Sequence, residues 1–182
     1  MASNANGVQG RAIPWRLIGW AVPVGLLTAP LLAGWPWSPA DFIVAGAIFA
    51  IVGGTLELAV RASGNVWYRA GAAIALAAAF LLVWINLAVG IIGSEDNPLN
   101  LMFFGAIAAA VIGSIVAQFK ARGMALAMTV AAAIQALIGI GVFMLDLGAA
   151  EPPGAFGLLG LIEFFAVLWL LSAWCFRRAA RA

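Results

Sequence analysis

Two carboxyls stand inside long stretches that otherwise carry no ionisable side chain: Glu57 and Glu163. A charged group in apolar surroundings is costly to keep, so each invites a functional reading: a proton path, an ion site or a substrate contact. Glu57 precedes Arg61 by four residues, which puts both on one helix face in the favourable order, acid before base. The structural alternative is an ion pair that positions a helix end. Glu163 has no basic residue at its level. A carboxyl in hydrocarbon favours its neutral form, which can donate a hydrogen bond to a neighbouring helix. It is read either as interhelical glue or as a proton-carrying or substrate-contacting group. At about 1.5 Å rise per residue, Glu163, Asn86 and Gln135 all fall roughly 10–15 Å from the same membrane face, with Thr28 near that level. A polar layer is therefore expected, with Glu163 bonded to Asn86 or Gln135. Each such bond contributes only about 0.6–2 kcal/mol, so the layer alone does not establish function. Glu57, Arg61, Thr55 and Gln118 could form a second cluster at the opposite end. A continuous string of polar groups would mark a path, whereas two layers with a dry gap between them would mark glue.

Other chemistry is sparsely represented. The chain has no His and a single Cys, Cys175. That removes the commonest metal and haem ligand, the usual general base, and any multi-cysteine site within one chain. No Gly-rich phosphate loop is present. The segment Gly93-Ser94-Glu95-Asp96-Asn97-Pro98 is acidic and compact. Two carboxylates are few for a divalent-cation site, and a capped turn is the better reading. No cofactor, no metal and no enzymatic activity are expected, and nucleic acid is excluded as a partner.

The elements that would hold these residues follow from composition. Hydrophobic residues make up 65% of the 182 and charged residues 9%, against about 25% charged in a soluble domain. Six apolar runs reach the length of about 20 residues that crosses a bilayer: Leu17–Trp35, Phe42–Val60, Ala70–Gly93, Leu99–Phe119, Met124–Leu145 and Ala155–Phe176. Backbone in hydrocarbon must satisfy itself, so uninterrupted runs of this length are helices. The fold class is therefore all-α: a six-transmembrane-helix up-down bundle over 15–177, preceded by a polar tail (1–14) and followed by a basic tail (178–182). Short gaps make consecutive helices antiparallel neighbours. Asn97 is placed to cap, and Pro98 to occupy the first turn of the fourth helix. Pro23 and Pro30 are placed to bend the first helix, and glycines at 46, 53, 54, 105, 113, 139 and 141 to let helices approach. Trp15, Trp35, Trp37, Trp67, Tyr68 and Trp174 fit interfacial belts; Trp84 and Trp169 sit deeper and read as packing residues.

Charge sorts by side. On a six-helix trace all nine basic residues (Arg11, Arg16, Arg61, Arg69, Lys120, Arg122, Arg177, Arg178 and Arg181) fall on one side, and Asp41, Glu95, Asp96, Asp146 and Glu151 fall on the other. The positive-inside rule then puts both termini in the cytoplasm. The first run is too long for a signal-peptide core and lacks a small-residue cleavage site, so it is read as a retained helix.

The stretches Glu57-Leu58-Ala59-Val60-Arg61-Ala62-Ser63-Gly64-Asn65 with Tyr68-Arg69-Ala70-Gly71, and Asn86 through Pro98 continuing to Met102-Phe103-Phe104-Gly105, resemble a group of small uncharacterised bacterial multi-pass membrane proteins. The resemblance covers about the middle third of the chain. It implies a bacterial inner-membrane location and carries over no functional residue. Three functions remain open. The first is an accessory or structural membrane component that packs on a membrane-protein partner or on itself within the lipid bilayer. The second is a small permease or channel-like protein using Glu163 and Glu57. The third, an intramembrane enzyme acting on lipid or quinone, lacks the clustered catalytic groups it would need.

Overall fold

The structure is a computed structural model, and it describes residues 15–147 and 153–182. The expected polar tail at 1–14 and the gap residue Glu151 lie outside the described residues. Among those described, the chain forms six α-helices and one 3-10 helix, with no strand: α1 (Trp15–Ala33), α2 (Pro39–Ala62), α3 (Val66–Ala88), a 3-10 turn (Pro98–Met102), α4 (Phe103–Val116), α5 (Ala121–Met144) and α6 (Gly154–Ala179). Five segments are long and apolar enough to cross a membrane: α2, α3, the 3-10 turn joined to α4, α5 and α6. The chain is thus consistent with a multi-pass integral membrane protein.

The chain divides into two compact units at Gly53–Gly54. In the first, a Ser-x-x-Asp capping box opens α2. The Ser38 N–H donates to Asp41 Oδ2 at 2.7 Å, and the Asp41 N–H donates back to Ser38 Oγ at 3.4 Å. Trp37 sets its ring edge-on to Phe42 beside this box.

The second unit holds the α3–α6 bundle. Helix α6 packs against both α5 and α3, and α5 packs against α4. Sequence adjacency gives two of these pairings. The expectation that α3 and α4 are close neighbours is corrected: α3 leans mainly on α6. The reason lies in its inner face, where Gly71 receives the Phe176 ring and the Gly71 carbonyl accepts a hydrogen bond from Ser172 Oγ at 2.8 Å. Two apolar clusters fill the bundle. One, with Tyr68, Ala78, Met128, Trp169 and Phe176, lies toward the end where Arg69, Lys120 and Arg177 are found. The other, with Leu82, Phe103, Val142, Ile162 and Phe165, lies toward the opposite end. Contacts gather the basic end in space. Tyr68 Oη donates to the Phe119 carbonyl at 2.8 Å, the Tyr68 and Phe176 rings meet edge-on, and Arg177 reaches Thr129. Arg69 closes the α2–α3 turn by donating to the Ser63 and Val60 carbonyls.

Helix ends depart from the hydropathy reading most between α3 and α4. The third helix was expected over 70–93; it begins at Val66, capped by Asn65, and stops at Ala88. Gly90 turns the chain with φ of +73°, and a Cβ there would run into Ser94 and into Asn100 Nδ2. Ile91 and Ile92 are buried although they are not helical. Their N–H groups donate to Asn100 Oδ1 at 3.1 and 2.9 Å, and Asn100 Nδ2 donates to the carbonyls of Ile92 and Ser94. One buried asparagine thus takes over the bonding that a helix would have given this backbone. Asn97 caps as expected, accepting from the Leu99 N–H, but the turn it opens is 3-10 before α4 begins at Phe103. The fourth helix also ends early, at Val116 rather than 119, because Gln118 and Phe119 adopt left-handed φ values of 51° and 57°. The other helix ends shift by three residues at most, with α2 starting at Pro39 and α5 at Ala121.

Replacing Asn100 by Ala strands two buried N–H groups and is expected to cost at least about 2 kcal/mol. Thermal unfolding in detergent measures this; a variant as stable as wild type would mean that the loop does not rest on the asparagine.

Candidate functional site

The polar groups predicted to share a layer are carried by α3, α5 and α6. Gln135 is completely buried on α5. Its Nε2 donates across the helix seam to the Ile162 carbonyl at 3.5 Å, a long bond. The next residue on α6 is Glu163. Its Oε1 lies against Gly139, one turn beyond Gln135 on α5, so closely that a Cβ on Gly139 would collide with it. Glu163 and Gln135 therefore occupy adjoining turns of the α5–α6 seam, as the depth arithmetic anticipated. The glycine at 139 makes room for the carboxyl; this is why a charge-capable side chain fits where two helices touch.

Asn86 is buried on α3, but its Nδ2 turns back to its own helix and donates to the Leu82 carbonyl at 2.6 Å. With α3 ending at Ala88, Asn86 sits two residues from the helix end rather than about seven. The expected hydrogen bond from Glu163 to Asn86 or Gln135 is not made. Instead, Glu163 Oε1, Gln135 Oε1 and Asn86 Oδ1 are all buried without a partner, as is the indole Nε1 of Trp169. Buried polar atoms are mostly paired, so these four mark where the bundle's internal bonding is incomplete. Trp169 was read only as a packing residue. Its N–H is an obligatory donor, which is the signal that reading passed over.

Of the second expected cluster, Glu57 and Arg61 come together. Glu57 and Arg61 form an ion pair near the end of α2, with the Arg61 side chain 62% exposed. Gln118 sits on the left-handed turn after α4 and accepts from Lys120 Nζ at 3.0 Å. Thr28 Oγ1 donates to its own helix at the Gly25 carbonyl. Among the described residues no group of three His, Cys, Asp or Glu side chains comes together.

Between the Glu163 level and the basic end the packing is largely apolar, with the Trp169 indole as its buried polar exception. The cluster around Ala78, Met128, Ala131, Ala173 and Phe176 is apolar. The buried hydroxyls in this region, Ser114 and Ser172, spend their protons on the carbonyls of Ala110 and Gly71. Thr129 does the same on Ala125. The arrangement can hold one polar or protonic group beside Glu163 and Gln135, but it offers no chain of side chains along which to pass it on.

In comparisons with known proteins, the chain matches no protein family, no curated protein and no solved structure.

The close approach at Gly139 gives a direct test of this geometry. Gly139→Ala is expected to destabilise by about 1–3 kcal/mol through overpacking. Adding Glu163→Ala should return part of that loss, because the colliding carboxyl is gone. Thermal unfolding of the two single variants and the double variant in detergent reads the coupling; strictly additive costs would mean that the carboxyl does not rest on Gly139.

Proposed function

We propose that this chain is a six-span bacterial inner-membrane protein, with its basic end in the cytoplasm and an N-in/C-in topology, that acts as an accessory or structural membrane component. The observation that carries this reading is the largely apolar cluster between the level of Glu163 and Gln135 and the basic end of the bundle. A conduit needs polar groups or space along its length, and here the hydroxyls on the way are bonded to backbone. Two polar levels with mainly apolar packing between them suit helix association better than passage. The six-span count adds α1, whose apolar stretch Gly19–Ala33 is shorter than the other five spans and whose whole helix of 19 residues rises about 28 Å. The sidedness is supported by the positive-inside rule applied to Arg61, Arg69, Lys120, Arg122, Arg177, Arg178 and Arg181. A membrane-protein partner or a second copy of the chain is the expected companion, and the protein works without a cofactor.

The four unpartnered polar atoms favour one second reading. In it, Glu163 and Gln135 bind a proton or a small polar solute, and the protein is a small permease in which Glu57 also takes part.

Native mass spectrometry of the tagged protein, extracted in mild detergent, separates the two. The accessory reading expects a larger species at fixed stoichiometry, or a defined homo-oligomer. It also expects Glu163→Gln to leave that species unchanged, since the substitution keeps shape and hydrogen bonding while removing titration. A lone monomer whose proton or solute flux in liposomes falls at least about tenfold in Glu163→Gln, a typical loss for one essential titrating group, would overturn it in favour of the permease.

A further inference from the structure

At the basic end, the first turns of α5 and the last turns of α6 leave a cleft of about 480 Å³ between them. Three arginines line it: Arg122 from α5, Arg177 from α6 and Arg181 from the turn just after α6. Among the described residues, none of the three forms an ion pair with a carboxylate, and no acidic side chain lines the cleft. Arg177 Nη2 donates to Thr129 Oγ1 at 2.9 Å, and that hydroxyl donates in turn to the Ala125 carbonyl, so one guanidinium is held in place on the cleft wall. Three guanidinium forks converging on one small volume suit an anion with several acceptor oxygens, and a phosphate is the chemistry they fit best.

The rest of the lining indicates where that phosphate comes from. Ala125 and Leu126 make the apolar part of the wall. Leu126 is 66% exposed, and the same face of α5 continues through Val130, also exposed, one turn further from the basic end. An exposed apolar stripe leaving a basic cleft along a membrane-spanning helix is matched to an acyl chain below a headgroup. We propose that this cleft binds the phosphate of an anionic phospholipid, with Arg122, Arg177 and Arg181 on the headgroup and the Leu126–Val130 face along its chain. This inference is independent of whether the protein is an accessory component or a permease.

The other two basic residues close by serve as controls. Lys120 is engaged with Gln118, and Arg178 lies over the Trp174 ring at 5.1 Å; neither lines the cleft. Arg122→Gln/Arg181→Gln and Lys120→Gln/Arg178→Gln remove the same charge from the same end. All four side chains are exposed, so both doubles are expected to fold, which size-exclusion chromatography and thermal unfolding check.

Full-length protein in detergent would be titrated with phosphatidylglycerol, with phosphatidylcholine of the same chain length and with inorganic phosphate, and the bound species counted by native mass spectrometry. Wild type is expected to prefer phosphatidylglycerol over phosphatidylcholine by on the order of tenfold or more, since each arginine near a membrane surface favours an anionic headgroup by about fivefold. Arg122→Gln/Arg181→Gln should lose that preference, and Lys120→Gln/Arg178→Gln should keep it to within about twofold. Equal loss in both doubles, or no preference in wild type, would overturn the site. Inorganic phosphate binding alone at the cleft, or displacing the lipid at matched concentration, would overturn the lipid assignment.

Discussion

Inside hydrocarbon there is no water to complete an unfinished hydrogen bond, so each polar atom must find its partner within the chain. Most of this bundle obeys that constraint with short internal bonds. The hydroxyls of Ser114, Thr129 and Ser172 all spend their protons on carbonyls. Arg69 closes the turn after α2, and Asn100 closes the loop after α3. Against this background the unpartnered oxygens of Glu163, Gln135 and Asn86 and the unpartnered indole of Trp169 stand apart.

Helix α6 is the element on which the packing turns. It carries Glu163 against α5 and Ser172 against α3, and its Phe165, Trp169 and Phe176 fill the core on both sides. Small residues on the facing helices make this possible: Gly71 receives Phe176, and Gly139 receives the Glu163 carboxyl. Between α4 and α5 the same device appears at Gly113, which lies directly on Ala127. Helices without a hydrophobic drive to associate rely on this kind of contact.

Much of this was legible in the residues. Apolar runs located every helix, because length and hydropathy are what hydrocarbon selects. Helical rise alone put Gln135 and Glu163 at one level, and they lie on adjoining turns of the α5–α6 seam without bonding to each other. What hydropathy could not see was a loop as apolar as a helix. Ile91 and Ile92 extend the run of α3 in composition, yet Gly90 has already turned the chain. The signals present were Gly90, Gly93 and an asparagine three residues beyond Asn97, none of which a sliding average registers. That shortfall displaced Asn86 relative to Glu163. The pairing of α3 with α6 was not legible either, since it depends on shape at Gly71 and Phe176 rather than on order along the chain.

The turn after α4 carries one more consequence. Gln118 and Phe119 are consecutive left-handed residues, a conformation that costs side-chain-bearing residues about 1–2 kcal/mol each. The Tyr68 hydroxyl bonds the Phe119 carbonyl from a helix that precedes the turn in the chain. Helix α3 is therefore already synthesised when the α4–α5 hairpin closes, and its tyrosine offers the turn a ready docking point. Phe176, last in the chain, meets the same ring edge-on. One tyrosine side chain thus ties α3 to both the α4–α5 turn and the last turns of α6.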